Sequence, residues 1–168
     1  MSYQQHIRQA GDPSARCAII TLSDTRTPET DTSGKRIREL LESSGHTVAA
    51  YRVIRDEMQD LQGLLEEFLA SQTTDVVLTN GGTGVSRRDR TIEVVQQILE
   101  QPLPGFGELF RMLSWQEIGS GAMLSRAVGG IARGKLLFAM PGSTSAVDLA
   151  MSKLILPELH HLLHQMKR

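Results

Sequence analysis

The stretch DVVLTNGGTGVSRRDRTIEVVQQIL, residues 75–99, carries the reading of the fold. Asp75 to Thr79 is a short apolar run of the kind shown by a strand buried on both faces, and it stops at Gly81-Gly82-Thr83-Gly84. After Val85 to Arg90, the apolar residues Ile92, Val95, Ile98 and Leu99 recur at helical spacing. A strand, a glycine-rich loop and a helix therefore follow one another without a gap. The same unit stands twice upstream. Ala15 to Leu22 is a β-rich run, followed over Asp31 to Gly45 by Ile37, Leu40 and Leu41; Thr47 to Ile54 alternates, followed by Met58, Leu61, Leu64, Leu65 and Phe68. Three successive strand-helix units predict a parallel sheet with helices on both faces, because right-handed crossovers return each strand beside an earlier one.

Downstream, Pro102 and Pro104 punctuate the approach to a helix over Phe106 to Gly119, marked by Phe106, Leu109, Phe110 and Leu113. Trp115 on this helix is expected to pack in the core, since large aromatic side chains dominate burial. Ser125 to Ile131 and Lys135 to Met140 read as two strands joined near Arg133-Gly134, a small antiparallel pair. Pro141-Gly142 then turns the chain into a terminal helix carrying Val147, Met151, Leu154, Ile155, Leu159, Leu162, Leu163 and Met166, with Pro157 expected to kink or break it. The predicted class is α/β: a three-layer, mostly parallel, doubly wound sheet with that antiparallel pair near the C-terminal part. Residues 1–14 read as a polar tail and 15–168 as a single domain.

Composition narrows the function. With 18 Lys+Arg against 19 Asp+Glu among 168 residues, the net charge of -1 offers no general attraction to nucleic acid or an anionic membrane. No run approaches the roughly 18 apolar residues of a membrane-spanning helix. The single cysteine, Cys17, lies in an apolar run and reads as an inert buried thiol, which together with the absence of a signal peptide suggests a cytoplasmic protein.

In an open parallel sheet, ligands bind outside the carboxyl ends of the strands, so the loops leaving the strands are the places to search. Glycines at 81, 82 and 84 allow positive φ and close backbone approach, and consecutive amides there form a nest for phosphate. A tight turn with glycines for geometry alone is the competing explanation. The loop is neither a P-loop, lacking Gly-Lys-Ser/Thr, nor the Gly-x-Gly-x-x-Gly dinucleotide fingerprint. Ser143, Thr144 and Ser145 stand where the last helix begins, as N-caps or as donors to an anion. Asp31 suits a helix cap and Asp24 a turn. Asp56 and Asp89 follow neighbouring units, and a carboxylate pair beside a phosphate site suits Mg²⁺, which takes one or two carboxylates plus substrate phosphates; solvated loop aspartates are the alternative. His160, His161 and His164 read as a solvent-facing cluster, although His160 and His164 have the spacing of metal ligands.

Taken in order, Leu22-Ser23-Asp24-Thr25, Asp31-Thr32-Ser33-Gly34, Asp56-Glu57, Thr79-Asn80-Gly81-Gly82-Thr83-Gly84 with Arg88-Asp89, Met123-Leu124-Ser125-Arg126 and Pro141-Gly142-Ser143 resemble the MoaB/MogA molybdenum-cofactor biosynthesis family, whose domain also occurs in gephyrin-like proteins. The resemblance runs from Arg16 to about Leu159 and is closer to the MoaB type. It implies binding of molybdopterin, a phosphorylated pterin dithiolene, and transfer of AMP from Mg-ATP to its phosphate with release of pyrophosphate. The adenylated product would pass to a molybdate-inserting partner enzyme. Asp56 and Asp89 take the positions of the family's essential acidic residues, which are catalytic and hold the metal. Asn80, Gly81, Gly82, Thr83, Gly84 and Ser143 take the nucleotide-binding positions. Thr21, Ser23, Asp31, Ser125 and Arg126 take substrate-binding positions.

The resemblance further implies a homotrimer or homohexamer, for which the apolar Phe106 to Met123 section offers an interface. Three departures stand out: Thr144 where the family usually has Pro, Asn80 where Thr is common, and Arg90 where relatives are often apolar. Two other functions fit part of the pattern. A catalytically silent molybdopterin-binding or assembly protein would keep the fold, although the intact acidic pair favours an enzyme. A nucleotide-binding regulatory module would explain the glycine loop alone.

Overall fold

The structure is a computed structural model and describes residues 14–167. All but the last residue of the expected polar tail lie outside that range. The elements are β1 (Arg16–Leu22), α1 (Thr32–Ser43), β2 (Thr47–Ile54), α2 (Met58–Ala70), β3 (Val76–Asn80), α3 (Thr91–Ile98), β4 (Gln101–Pro102), α4 (Pro104–Ile118), a 3₁₀ segment (Gly119–Leu124), β5 (Val128–Ala132), β6 (Lys135–Met140), α5 (Thr144–Ala150), a π-helical turn (Met151–Ile155) and α6 (Leu156–Met166). They build one six-stranded sheet in the order β2-β1-β3-β6-β5-β4. β1 pairs in parallel with both β2 and β3, and β3 with β6; β5 runs antiparallel to β6 and to β4. The mostly parallel, doubly wound architecture and the antiparallel β5–β6 hairpin are those predicted from the strand-helix periodicity.

Alternation along each strand sends side chains to two separate cores. On one face Cys17, Ile19, Val76, Leu78, Leu136, Phe138 and Met140 pack with Ile37 and Leu41 of α1, Phe106 and Phe110 of α4, and the apolar side of α5 and α6. On the other, Ala18, Ile20, Val77, Leu137 and Ala139 pack with Leu61, Leu65 and Phe68 of α2 and Ile92 and Val95 of α3. This double coverage is why the parallel strands read as continuous apolar runs. Cys17 is fully buried, and burial, aided by Asp75, pushes its thiol up to about 12, which agrees with an inert role.

Four local expectations change. Trp115 is not in the core: it is 62% exposed, because Phe106, Phe110 and Ser114 occupy the inward side of α4 and leave Trp115 facing out. The histidines of α6 are half-buried and not fully solvated; the His160 ring lies 4.9 Å from that of buried His46, and His161 Nδ1 sits 3.1 Å from Glu158 Oε2. Pro157 does not end the terminal helix: it falls in the first turn of α6, directly after the π-helical turn Met151–Ile155 that interrupts the α-helical pattern, so the expected irregularity is present while the helix continues. Ser125 and Arg126 precede β5 at the end of the 3₁₀ segment, where the sequence pattern had suggested strand.

Leu78 stands fully buried on the central strand β3. Leu78→Ala is expected to cost roughly 2–5 kcal/mol in urea unfolding, whereas Val85→Ala, at a side chain 70% exposed, should leave the midpoint unchanged within error.

Candidate functional site

β1 leads through α1 to β2 on one side, while β3 lies on its other side, so the chain's direction of winding reverses between β1 and β3. That reversal opens a crevice at the strands' carboxyl ends. Thr21 and Asn80 are paired residues at this edge, and both are fully buried. Asn80 Nδ2 donates to Thr21 Oγ1 at 2.9 Å, while its Oδ1 accepts from Ser33 Oγ at 2.7 Å.

Beneath them lies the fully buried carboxylate of Asp31, the N-cap of α1, which accepts from the Gly34 amide at 3.0 Å and Ser33 Oγ at 3.1 Å. Tyr51 of β2 donates to its other oxygen. Arg26 lies 3.6 Å from it and donates to Ser33 Oγ at 2.6 Å and to the Gly142 carbonyl at 3.0 Å, tying the network to the loop after β6. Burial pushes the Asp31 carboxyl upward, but hydrogen bonds from Thr21, Tyr51, Gly34 and Ser33 outweigh it and hold the group below the ordinary carboxylate range. Burial and the neighbouring Asp31 carboxylate in turn raise the Tyr51 phenol.

Above this network runs the glycine loop. Gly81 has φ +94°, and its N–H donates to the Met140 carbonyl at 3.1 Å. A Cβ on Gly81 would fall 2.2 Å from the Leu22 carbonyl oxygen, so only glycine lets the loop settle onto the ends of β1 and β6. Gly82, at φ +64°, is packed against Asp56: a Cβ there would stand 2.7 Å from Asp56 Oδ1 and 2.3 Å from Thr91 Oγ1. The Thr91 hydroxyl is buried and has no hydrogen-bond partner among the described residues. Thr83 is buried behind the loop and Gly84 is exposed at its tip, next to the Asp89 carboxylate.

Asp56 and Asp89 come together as expected, in company with Asp24. Burial, then the charges of Asp89 and Asp24, push the Asp56 carboxyl up to about 6, against the opposing pull of Arg88. Asp89 Oδ2 accepts from the Ser86 amide at 3.0 Å, which closes the loop on itself. Arg88 spans the cluster, 2.9 Å from Asp24 Oδ2 and 2.9 Å from Glu57 Oε1. No group of three or more His, Cys, Asp or Glu side chains arranged to hold a metal is present among the described residues. A carboxylate pair still matches Mg²⁺, which takes its other ligands from water and phosphate.

The remaining expected residues are distributed around this centre. Ser23 is half-buried, and its Oγ accepts from the Arg26 amide at 3.1 Å and the Thr25 amide at 3.3 Å, shaping the turn after β1. Ser143 caps α5, accepting from the Ala146 amide at 3.2 Å. The Thr144 hydroxyl lies 3.3 Å from that of Thr32 and so links α5 to α1. Ser125 is half-buried beside Arg126, whose guanidinium reaches the back of the glycine loop. Tyr51, Arg26 and Thr91 were not picked out from the sequence: Tyr51 lies within β2 and Thr91 at the start of α3, while Arg26, although it stands in the loop after β1, is drawn into the network only by its contacts to Ser33 and the Gly142 carbonyl.

With this geometry in place, the comparison with known proteins becomes informative. Residues 18–161 match the family described as "Probable molybdopterin binding domain". The chain belongs to this family. It is 51% identical over 169 aligned positions to "Molybdenum cofactor biosynthesis protein B" of Bacillus anthracis, covering 100% of this chain and 99% of that one. The protein of the same name in Bacillus subtilis is 48% identical over 169 positions, with 100% and 99% covered. A crystal structure of a molybdenum cofactor biosynthesis protein B superposes with a TM-score of 0.91 at 51% identity, covering 94% of this chain and 99% of that chain. The tungsten cofactor synthesizing protein MoaB of Pyrococcus furiosus gives 0.84 at 34% identity, covering 92% and 98%.

The buried Asp31 network makes a pH-dependent prediction. Because the folded-state pKa lies below that of the unfolded chain, the unfolded state takes up the proton first on acidification. The stabilisation is complete above the unfolded value of about 4 and is lost as pH falls through the folded value. Asp31→Asn is expected to cost roughly 1–3 kcal/mol near neutrality and to show a flatter decline of stability in acid than the parent. Equal acid slopes in chemical denaturation would contradict the ionised, hydrogen-bonded Asp31.

Proposed function

We propose that this protein serves molybdenum cofactor biosynthesis by binding molybdopterin and transferring AMP to its phosphate from Mg-ATP, with release of pyrophosphate. The observation that carries the reading is the meeting of Asp56 and Asp89 against a positive-φ glycine loop at the switch point of the sheet. Membership of a molybdopterin-binding family and the names of the full-length relatives support the pterin as the acceptor.

In this reading an oxygen of the pterin phosphate attacks the α-phosphorus of ATP, a new P–O bond forms, and the bond to the β-phosphate oxygen breaks as pyrophosphate leaves. The nucleophile is already anionic, so no strong base is required; in-line positioning and charge neutralisation carry the catalysis. Asp56 and Asp89 would hold Mg²⁺, whose contribution when bound is to neutralise charge on the triphosphate oxygens. The amides of the Gly82 to Gly84 part of the loop and Ser143 would receive the nucleotide phosphates, with Asn80 and Gly81 supporting the loop through their bonds to Thr21, Ser33 and the Met140 carbonyl, while the half-buried Ser23 and Ser125 would meet the pterin. Thr21 and Asp31 act from beneath, as the floor that fixes the edge, since their side chains are fully buried. The product would pass to a molybdate-inserting partner enzyme.

The exposed apolar side chains Leu109, Met112, Trp115 and Ile118 recur every three residues along α4, and Met123 and Leu124 extend the patch. Met112, Trp115 and Met123 of this set line one surface cavity, and exposed apolar surface of this kind supports self-association, as the homotrimer or homohexamer expected from the family resemblance. Wild-type protein should sediment as such an oligomer at micromolar concentration, and Trp115→Glu combined with Met123→Ser should shift it to monomer.

Purified protein supplied with molybdopterin, ATP and Mg²⁺ should yield adenylated pterin and pyrophosphate in equal amounts. Asp89→Asn is expected to lower the rate at least about a hundredfold, the scale of losing one metal-holding group in a charge-stabilised transfer, and chelation of Mg²⁺ should do the same. Pterin binding without adenylated product would instead identify an assembly protein, and ATP binding without pterin affinity a nucleotide-binding regulator.

A further inference from the structure

Arg126 was expected among the substrate contacts, yet its side chain is already committed. Its Nε donates to the Thr83 carbonyl at 2.9 Å, Nη2 to the carbonyls of Gly84 at 2.6 Å and Asp89 at 3.1 Å, and Nη1 to Glu93 Oε1 at 2.7 Å. These bonds use four of the five N–H donors that a guanidinium has, and leave one for anything else. Glu93, in the first turn of α3, is held below the usual carboxylate range chiefly by its hydrogen bond to Arg126. The pair is therefore charged across the neutral range.

The three carbonyls belong to the loop that carries the phosphate-facing amides. Every peptide bond in the described residues is trans, so each N–H points opposite to the carbonyl of its own peptide. With the Thr83 and Gly84 carbonyls drawn toward Arg126, the N–H groups of Gly84 and Val85 face the other way. Neither N–H has an acceptor among the described residues. A glycine-rich loop has little intrinsic preference for one such orientation. A planar fork bound to three carbonyls supplies that preference, and the bond to the Asp89 carbonyl extends it to the carboxylate at the loop's end.

The geometry points to Arg126 as a positioning residue: anchored by Glu93, it orients the amides of the Thr83–Asp89 loop toward an anionic ligand from behind, without itself touching that ligand. This deepens the nucleotide-loop reading above and rests on it only for the identity of the anion.

The test uses full-length Arg126→Gln, Arg126→Lys and Glu93→Gln proteins, with amide hydrogen exchange over residues 83–90 measured without ligand and Mg-ATP affinity measured by calorimetry. Positioning predicts that exchange in the loop accelerates in all three while β1 and β3 keep their protection, and that affinity falls about tenfold in each, Glu93→Gln included. Direct contact predicts a different pattern. Arg126→Lys would then retain most of the affinity, and Glu93→Gln, by removing a nearby negative charge, would tighten binding. Tighter binding by Glu93→Gln, or unchanged loop exchange in that variant and in Arg126→Gln, would overturn the inference. Should the wild-type chain fail to bind Mg-ATP, the nucleotide reading falls while the exchange data still decide the role of Arg126. If Arg126→Gln does not fold, the sign of the Glu93→Gln effect decides alone.

Discussion

The buried carboxylate of Asp31 holds the working edge of this molecule together. An ionised group with no exposure is costly unless every lone pair is met, and here the cap of α1, the hydroxyls of Ser33 and Tyr51, and Arg26 meet them. Those partners come from three places: the first turn of α1, β2 and the loop after β1. Arg26 then reaches the Gly142 carbonyl and Ser33 reaches Asn80, so the ends of β1, β3 and β6 are fixed relative to one another by one polar network. The glycine loop can be flexible in sequence and still be held in place, because the surface on which it rests is rigid.

On that base the site concentrates negative charge. Asp24, Asp56 and Asp89 lie close enough for two of them to raise the third, and Arg88 provides the compensating cation within the chain. A cluster of this kind is stable only with positive charge present. That requirement explains the Arg88 bridge to Asp24 and Glu57. Arg126 and Glu93 form a second ion pair on the opposite side of the loop, where the contacts are to backbone carbonyls. One loop is thus set between two charged clusters.

Much of this was legible in the sequence. The alternation of apolar strands with helical stripes made a parallel sheet almost unavoidable, and the rule that ligands gather at carboxyl ends pointed to Asn80–Gly84, Asp56, Asp89 and the Ser143 turn before any contact was known. Of the glycines at 81, 82 and 84 that the sequence marked for positive φ, the first two adopt it and Gly84 does not. These features are legible because they arise from local constraints: periodicity, backbone freedom and loop polarity.

What the tertiary structure alone decided is which polar residues stay accessible at the crevice and which are used up within the protein. Thr21, Asp31 and Arg126 carry side chains as suitable for substrate as those of Ser23 or Ser125, yet Thr21 and Asp31 are buried in the floor and Arg126 is spent on carbonyls. Tyr51 and Arg26 entered the site through pairings 20 residues apart in one case and 116 in the other, which no local pattern records. Trp115 was turned outward because the inward positions of its helix were already filled by Phe106, Phe110 and Ser114. The sequence by itself determined the sheet, its edge and the glycine loop, since each follows from the conformational preferences of neighbouring residues. The roles of the charged and aromatic side chains came only from folding, because hydrogen-bond satisfaction and packing are settled between elements far apart in the chain.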